Sequence, residues 1–192
     1  MNPSFKEKRR ANKDPLPYTI YKGIKGKFGA VRFSLKKAYT DRRGESSKEE
    51  GCVFLDTANP KVSSYDWVNK ITVKLDLSDI GKIIHAFRSR VASEKGVNIY
   101  HDKGKGTTKE GQEIKTINIY RSPEMDNFLL TIKENKFGKE QVVKTPISPA
   151  EALVIVELLQ TAIPLVLQWC DSGKGGVIES PEGTDGNYSR QW

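Results

Sequence analysis

The chain has 192 residues, 36% of them hydrophobic and 29% charged, enough for one ordinary domain to bury a core without disulfide or metal staples. Short aliphatic clusters recur along it and exclude collagen-like, heptad-repeat and wholly disordered classes, while two distant cysteines, Cys52 and Cys170, argue against a disulfide scaffold or zinc site and for a reducing compartment. Lys and Arg outnumber Asp and Glu by 32 to 24, and the whole excess of +8 lies in residues 1–50, which hold 14 basic and 6 acidic side chains, so a polyanion meets that quarter first.

Residues 1–14 read as a disordered basic arm. They lack the apolar stretch of a secretory signal and are short and acid-containing for a transit peptide. A short strand is expected over 18–23. Over 28–37 the pattern alternates, with Val31, Phe33 and Leu35 on one side and Ala30, Arg32, Ser34 and Lys36 on the other. A charged loop, 41–50, leads to strands at 51–56 and 68–76. The period then changes: with Ser78 as N-cap, Ile80, Ile83, Ile84, Phe87 and Val91 share one helical face, and His85 falls off it. The same grammar follows again, with strands at 97–102, 113–121, 127–134 and 141–145. Ser148-Pro149-Ala150-Glu151 then announces a second helix with a capping box. Residues 171–192, rich in Gly, Ser and Pro, read as a flexible tail. The domain is thus expected over 15–170, an α+β fold of four antiparallel strands and a helix, twice.

A helix covers only one face of a sheet. The opposite faces carry Arg32, Lys36, Lys70, Lys74, Tyr120 and Lys133, a mixture of cations and rings suited to single-stranded nucleic acid as well as to solvent. The second helix is apolar nearly all round, which favours burial between copies of the chain, and Pro164 should kink or locally break it. Glu151, Glu157, Gln160, Thr161 and Gln168 interrupt the stretch 150–170, which is read as no membrane span.

Several motifs resemble the Whirly family of single-stranded-DNA-binding proteins. They are Pro17-Tyr18-Thr19-Ile20-Tyr21-Lys22-Gly23, the Lys25-Gly26-Lys27-Phe28-Gly29-Ala30 segment, which is similar to the family's KGKAAL signature, and Tyr65-Asp66-Trp67 followed by Lys70. Leu77-Ser78-Asp79-Ile80-Gly81, His101-Asp102 before a Gly/Lys loop, and the Pro164-containing helix ending at Trp169 complete the set. The resemblance spans about 16–170. It implies two four-stranded antiparallel sheets with two helices, a whirligig-like tetramer with helices at its centre, and sequence-tolerant binding of single-stranded DNA. Lys22-Gly23 and Lys25-Gly26-Lys27 compete for the motif's lysine positions.

On this reading Lys22, Lys25, Lys27 and Arg32 are the candidate phosphate cations. Tyr21, Phe28, Tyr65 and Trp67 are candidates for base stacking, Tyr65 and Trp67 sharing one parity of an extended segment. Lys70, Lys74 and Tyr120 follow from sheet-face parity alone. His101 beside Asp102 has no nucleophile to serve and is read as a strand-end hydrogen bond. Neither Gly/Lys loop, 103–108 nor 172–176, has the spacing of a phosphate loop, and no metal-spaced acid cluster is seen. The expectation is a non-enzymatic protein without cofactor, partnered by single-stranded DNA and by its own copies, away from membranes. It is read as intracellular, cytoplasmic or nucleoid-associated, of bacterial or phage type. The alternatives are an RNA-binding or annealing protein of the same fold, and a structural module whose sheet face binds protein.

Overall fold

Alternation of Val31, Phe33 and Leu35 along one strand demands a partner strand with the same inward set, and the chain supplies it. A computed structural model describes residues 15–22, 27–36, 51–89, 96–107, 111–121 and 126–167. Its elements are β1 (Tyr18–Ile20), β2 (Ala30–Lys36), β3 (Cys52–Ala58), β4 (Ile71–Leu75), α1 (Leu77–Arg88), β5 (Val97–Asp102), β6 (Glu113–Arg121), β7 (Phe128–Lys136), β8 (Lys139–Ile147) and α2 (Pro149–Val166). The first four strands form one antiparallel sheet in chain order and the last four another. The proposed arm, 1–14, and tail, 171–192, lie outside the described residues.

Register carries the inward residues across each sheet. Phe33 lies opposite Leu55, and Leu55 opposite Val73. In the second sheet Ile117 lies opposite Ile132, which lies opposite Val143. Partners across an antiparallel ladder share a face, so these sets bury together with Ile80, Ile83 and Phe87 of α1 and Ile155, Val156 and Leu159 of α2 in one core. Phe87 meets Phe128 edge-on at 5.2 Å.

The helix starts have local causes. α2 begins as its sequence announces: Ser148 Oγ accepts the Glu151 N–H, and Glu151 Oε2 accepts the Ser148 N–H at 2.8 Å. The α1 cap lies two residues before the expected one. Asp76 is the N-cap, its carboxylate accepting the Asp79 N–H at 2.8 Å while Asp79 accepts the Asp76 N–H at 3.2 Å. Ser78 therefore sits inside the first turn, because the paired aspartates cap two N–H groups where a single serine would cap one. Of the expected stripe, Ile80, Ile83 and Phe87 are buried, Ile84 is half-buried and Val91 lies outside the described residues; His85, off the stripe, is exposed. α2 continues through Pro164 to Val166, and the Leu167 N–H still donates to the Ile163 carbonyl at 3.0 Å; the proline's missing N–H falls in the last turn, so it removes one bond there without breaking the helix in its middle.

With 18 residues and a mean hydropathy of 1.5, α2 is long and apolar enough to cross a membrane by length and composition, which the sequence reading denied. Its Ala152, Ile155, Val156, Leu159 and Ala162 are sealed into the core. The opposite side leaves Leu153 66%, Val154 42% and Leu158 42% exposed.

The sheets meet where β4 and the start of β2 approach the second sheet. Lys115 Nζ donates to the Thr72 carbonyl at 2.8 Å and Gln141 Nε2 to the Asn69 carbonyl at 2.9 Å. Gly29 closes the seam: its N–H donates to the Lys144 carbonyl at 2.8 Å, and its carbonyl accepts from Thr145 Oγ1 at 3.1 Å. A Cβ on Gly29 would overlap Val143 Cγ1 and lie 2.6 Å from the Ala58 carbonyl oxygen. Gly29→Ala should therefore cost about 1–3 kcal/mol by overpacking, read as a lower midpoint in urea; an unchanged midpoint would show that the seam is looser than this.

Candidate nucleic-acid interface

Asp66 organises the connection between β3 and β4. Its N–H donates to the Asn59 carbonyl at 2.8 Å, its carboxylate accepts from Asn69 Nδ2 at 2.9 Å, and Lys61 Nζ lies 3.0 Å away. The Asn69 side chain, then Lys61, holds the Asp66 carboxyl below its ordinary value. An isolated bridge pairs Pro60 with Tyr65. The loop is thereby folded back on itself, and Tyr65 and Trp67 emerge on the side of Tyr21.

Tyr21 lies 5.6 Å from Tyr65, with ring planes tilted by 43°, and 6.5 Å from Trp67 in an edge contact at 88°. The Arg32 guanidinium carbon sits 4.1 Å above the Trp67 ring, a cation–π distance, and Arg32 Nε donates to Thr19 Oγ1 at 3.3 Å. Arg32 is thus held in place by β1 on one side and an indole on the other. Tyr21 is 58% exposed, and Tyr65 and Trp67 are half-buried. The Tyr65 hydroxyl is buried without a hydrogen-bond partner among the described residues.

Behind this cluster lies Asp56, buried on β3 directly opposite Arg32. Its two carboxylate oxygens accept from Lys70 Nζ and Thr72 Oγ1, each at 2.6 Å. A buried carboxylate requires such compensation. Lys70, expected on the binding face from parity alone, is therefore already charge-balanced. So is Lys22, whose Nζ reaches both carboxylate oxygens of Glu151 at 2.6 and 2.7 Å. A phosphate would compete with these carboxylates. Lys27 and Lys74 are exposed, and Phe28, 40% exposed, precedes the Gly29 seam. Lys25 lies outside the described residues. Tyr120 stands on β6 opposite Leu129, on the second sheet and outside the cluster.

Four of the expected residues, Tyr21, Arg32, Tyr65 and Trp67, thus come together. Thr19, Asp56, Asp66 and Asn69, which support them, were not among the expected site residues, although Thr19 and Asp66 lie within the quoted motifs. Asp66 and Asn69 at turn spacing, and an aspartate facing outward on a central strand, were the available signals.

His101 departs from its expected role. Its Nε2 lies 2.9 Å from Oδ2 of Asp79 in the α1 cap, but off the line of a hydrogen bond, so that nitrogen has no hydrogen-bond partner among the described residues. Asp102 instead accepts the N–H groups of Gly104 and Gly111 at 2.9 and 3.0 Å, closing the β5–β6 loop. Among the described residues no group of three His, Cys, Asp or Glu is placed to hold a metal ion.

The Lys22–Glu151 pair ties the exit of β1 to the start of α2. Burial raises the Glu151 carboxyl, but hydrogen bonds from Lys22 and Ser148 outweigh it and leave it below the ordinary 4.5. A depressed carboxylate adds stability that is complete above the unfolded value and is lost as pH falls through the folded one. The wild type should lose stability below about pH 4.5 faster than Glu151→Gln, measured by urea unfolding at a series of acidic pH values; parallel curves would deny the pair this role.

Two four-stranded antiparallel sheets, each followed by a helix, are the fold of the Whirly proteins of known structure. The crystal structure of WHY1 from Arabidopsis thaliana superposes with a TM-score of 0.65 at 19% identity, over 80% of this chain and 86% of that one. The plant transcriptional regulator PBF-2 does so with 0.66 at 23%, over 83% and 86%. The family model described as Whirly transcription factor matches residues 20–158, and the chain belongs to the Whirly family. It is 26% identical over 155 residues to the chloroplastic single-stranded DNA-binding protein WHY1 of Solanum tuberosum, covering 79% of this chain and 54% of that protein. It is 25% identical over 126 residues to the chloroplastic WHY3 of Arabidopsis thaliana, covering 63% and 45%. The chain spans about half the length of these curated relatives.

These relatives overturn the expectation of a bacterial or phage-type, cytoplasmic or nucleoid-associated protein, since they are chloroplastic proteins of plants. Nothing in the charge pattern of a folded domain encodes an address; the basic first quarter fits a polyanion surface in any compartment.

Proposed function

We propose that this chain binds single-stranded DNA with little sequence preference, as a homotetramer joined through α2. The observation that carries the reading is the cluster of Tyr21, Tyr65 and Trp67 around Arg32 on the outer side of the first sheet. Every base has a π-face, so rings that stack on unpaired bases do not select sequence, and a duplex keeps those faces hidden. Lys27 and Lys74, exposed and without a carboxylate partner among the described residues, are the phosphate contacts. The curated relatives are named as single-stranded DNA-binding proteins, which supports the same substrate here. The apolar outer side of α2 supports assembly: Leu153, Val154 and Leu158 remain exposed, by 66%, 42% and 42%, and a self-complementary contact would cover them. Such an assembly would shield exposed strands during replication, recombination, repair or transcription. Residues 15–170 form the binding domain of this proposal, with 1–14 and 171–192 as its appendages.

Titration of fluorescent oligo-dT and of a matching duplex at about 50 and 200 mM salt tests this. Oligo-dT should bind far more tightly than duplex, with affinity falling steeply as salt rises. Lys27→Ala should reduce the salt slope by about 0.7. Preference for duplex, or oligo-dT affinity insensitive to salt, would refute the proposal.

A further inference from the structure

The β7–β8 hairpin turns through Phe137 and Gly138, with Lys136 directly opposite Lys139. Both turn residues have positive φ, 50° at Phe137 and 78° at Gly138. A two-residue turn of this kind wants Asn or Asp followed by Gly, because a bulky residue resists the left-handed conformation. Phe137 adopts it nonetheless and holds its ring 69% exposed. The backbone around it is fixed: the Phe137 N–H donates to the Gln112 carbonyl at 2.8 Å and the Gly138 N–H to Asn135 Oδ1 at 3.1 Å. Lys136 and Lys139 flank the ring, and Lys105 of the neighbouring β5–β6 loop is also exposed; Glu140 is the one acid in 136–140.

An apolar ring at a solvent-facing tip, in a backbone conformation costly to it, contributes nothing to the core. It does fit a ligand that offers a flat apolar face and negative charge. The tip also has a place relative to the aromatic cluster. Gln141, three residues from Gly138, donates to Asn69 in the loop that presents Tyr65 and Trp67, so the tip extends about 10 Å beyond that contact by strand rise. The other end of β8 leads into α2, about 30 Å away, so assembly through α2 leaves the tip uncovered.

We infer that the β7–β8 tip is a second stacking station for single-stranded nucleic acid. Phe137 stacks on a base, and Lys136, Lys139 and Lys105 take the adjoining phosphates, lengthening the track that begins at Trp67. This rests on the single-stranded-DNA reading above but adds a site to it. The test is a length series of oligo-dT titrated against the full chain and three variants. Phe137→Asn suits the turn and should melt no lower than wild type, so lost binding is not lost folding. It should bind the shortest oligomers like wild type yet bind longer ones at least about fivefold more weakly. Phe137→Tyr should restore the long-oligomer affinity, and Lys136→Ala with Lys139→Ala should lower its salt slope. Equal binding of the Asn and Tyr variants at every length, with wild-type binding intact, would overturn the second station and leave the first site standing. Absence of oligo-dT binding by wild type at all lengths would instead overturn the functional reading, and this inference with it.

Discussion

Trp67→Ala should weaken oligo-dT binding about 100-fold while leaving the melting temperature and assembly mass near those of wild type. Two losses combine. A base-stacking ring contributes roughly 1–3 kcal/mol per base, and the same indole positions the Arg32 guanidinium 4.1 Å above it, an interaction of about 0.5–2 kcal/mol. Trp67 stands in a loop outside the continuous core, and Asp66 with Asn69 holds that loop's backbone independently of the indole. Arg32→Lys provides the complementary measurement. Lysine keeps the charge but loses the planar group that both covers the ring and donates to Thr19, so affinity should fall while the salt slope stays. Wild-type affinity in Trp67→Ala would show that the rings only pack against each other.

Leu158→Asp should reduce the assembly to monomers or dimers by light scattering with helical content retained. Leu158 is 42% exposed in the single chain, beside Val154 at 42% and Leu153 at 66%, while Leu159 and Ile155 on the opposite side hold the helix to its own core. Aspartate at 158 is solvated in a lone chain. In a symmetric contact it meets equivalents of itself, so one substitution buries several unpaired carboxylates. A mass unchanged by this variant would place the interface elsewhere.

The architecture was legible because its signals are periodic. Val31, Phe33 and Leu35 identify a half-buried strand, and Ser148-Pro149-Ala150-Glu151 a helix start, without reference to any distant residue. Asp76 was missed as the α1 cap because Ser78 offered an equally good local signal, and only the reciprocal bond from Asp79 distinguishes them. The candidate site was half legible. Rings and cations could be named from motif and parity, but ion pairing joins residues far apart in sequence. Lys22 and Glu151 are 129 positions apart, and nothing in the spacing of either reveals that the lysine is already occupied. Parity likewise put Tyr120 on an outer face correctly but could not say which sheet carries the cluster. The strain at Phe137 is visible only as a backbone angle.

Ultraviolet cross-linking of oligo-dT to the intact chain, followed by peptide mass spectrometry, tests the outer-face platform most directly. Adducts are expected on peptides carrying Tyr21, Tyr65 or Trp67, and they should disappear in competition with unlabelled single strand but not with duplex. Adducts confined to Tyr100 and Tyr120 of the second sheet, with none on peptides carrying Tyr21, Tyr65 or Trp67, would contradict it.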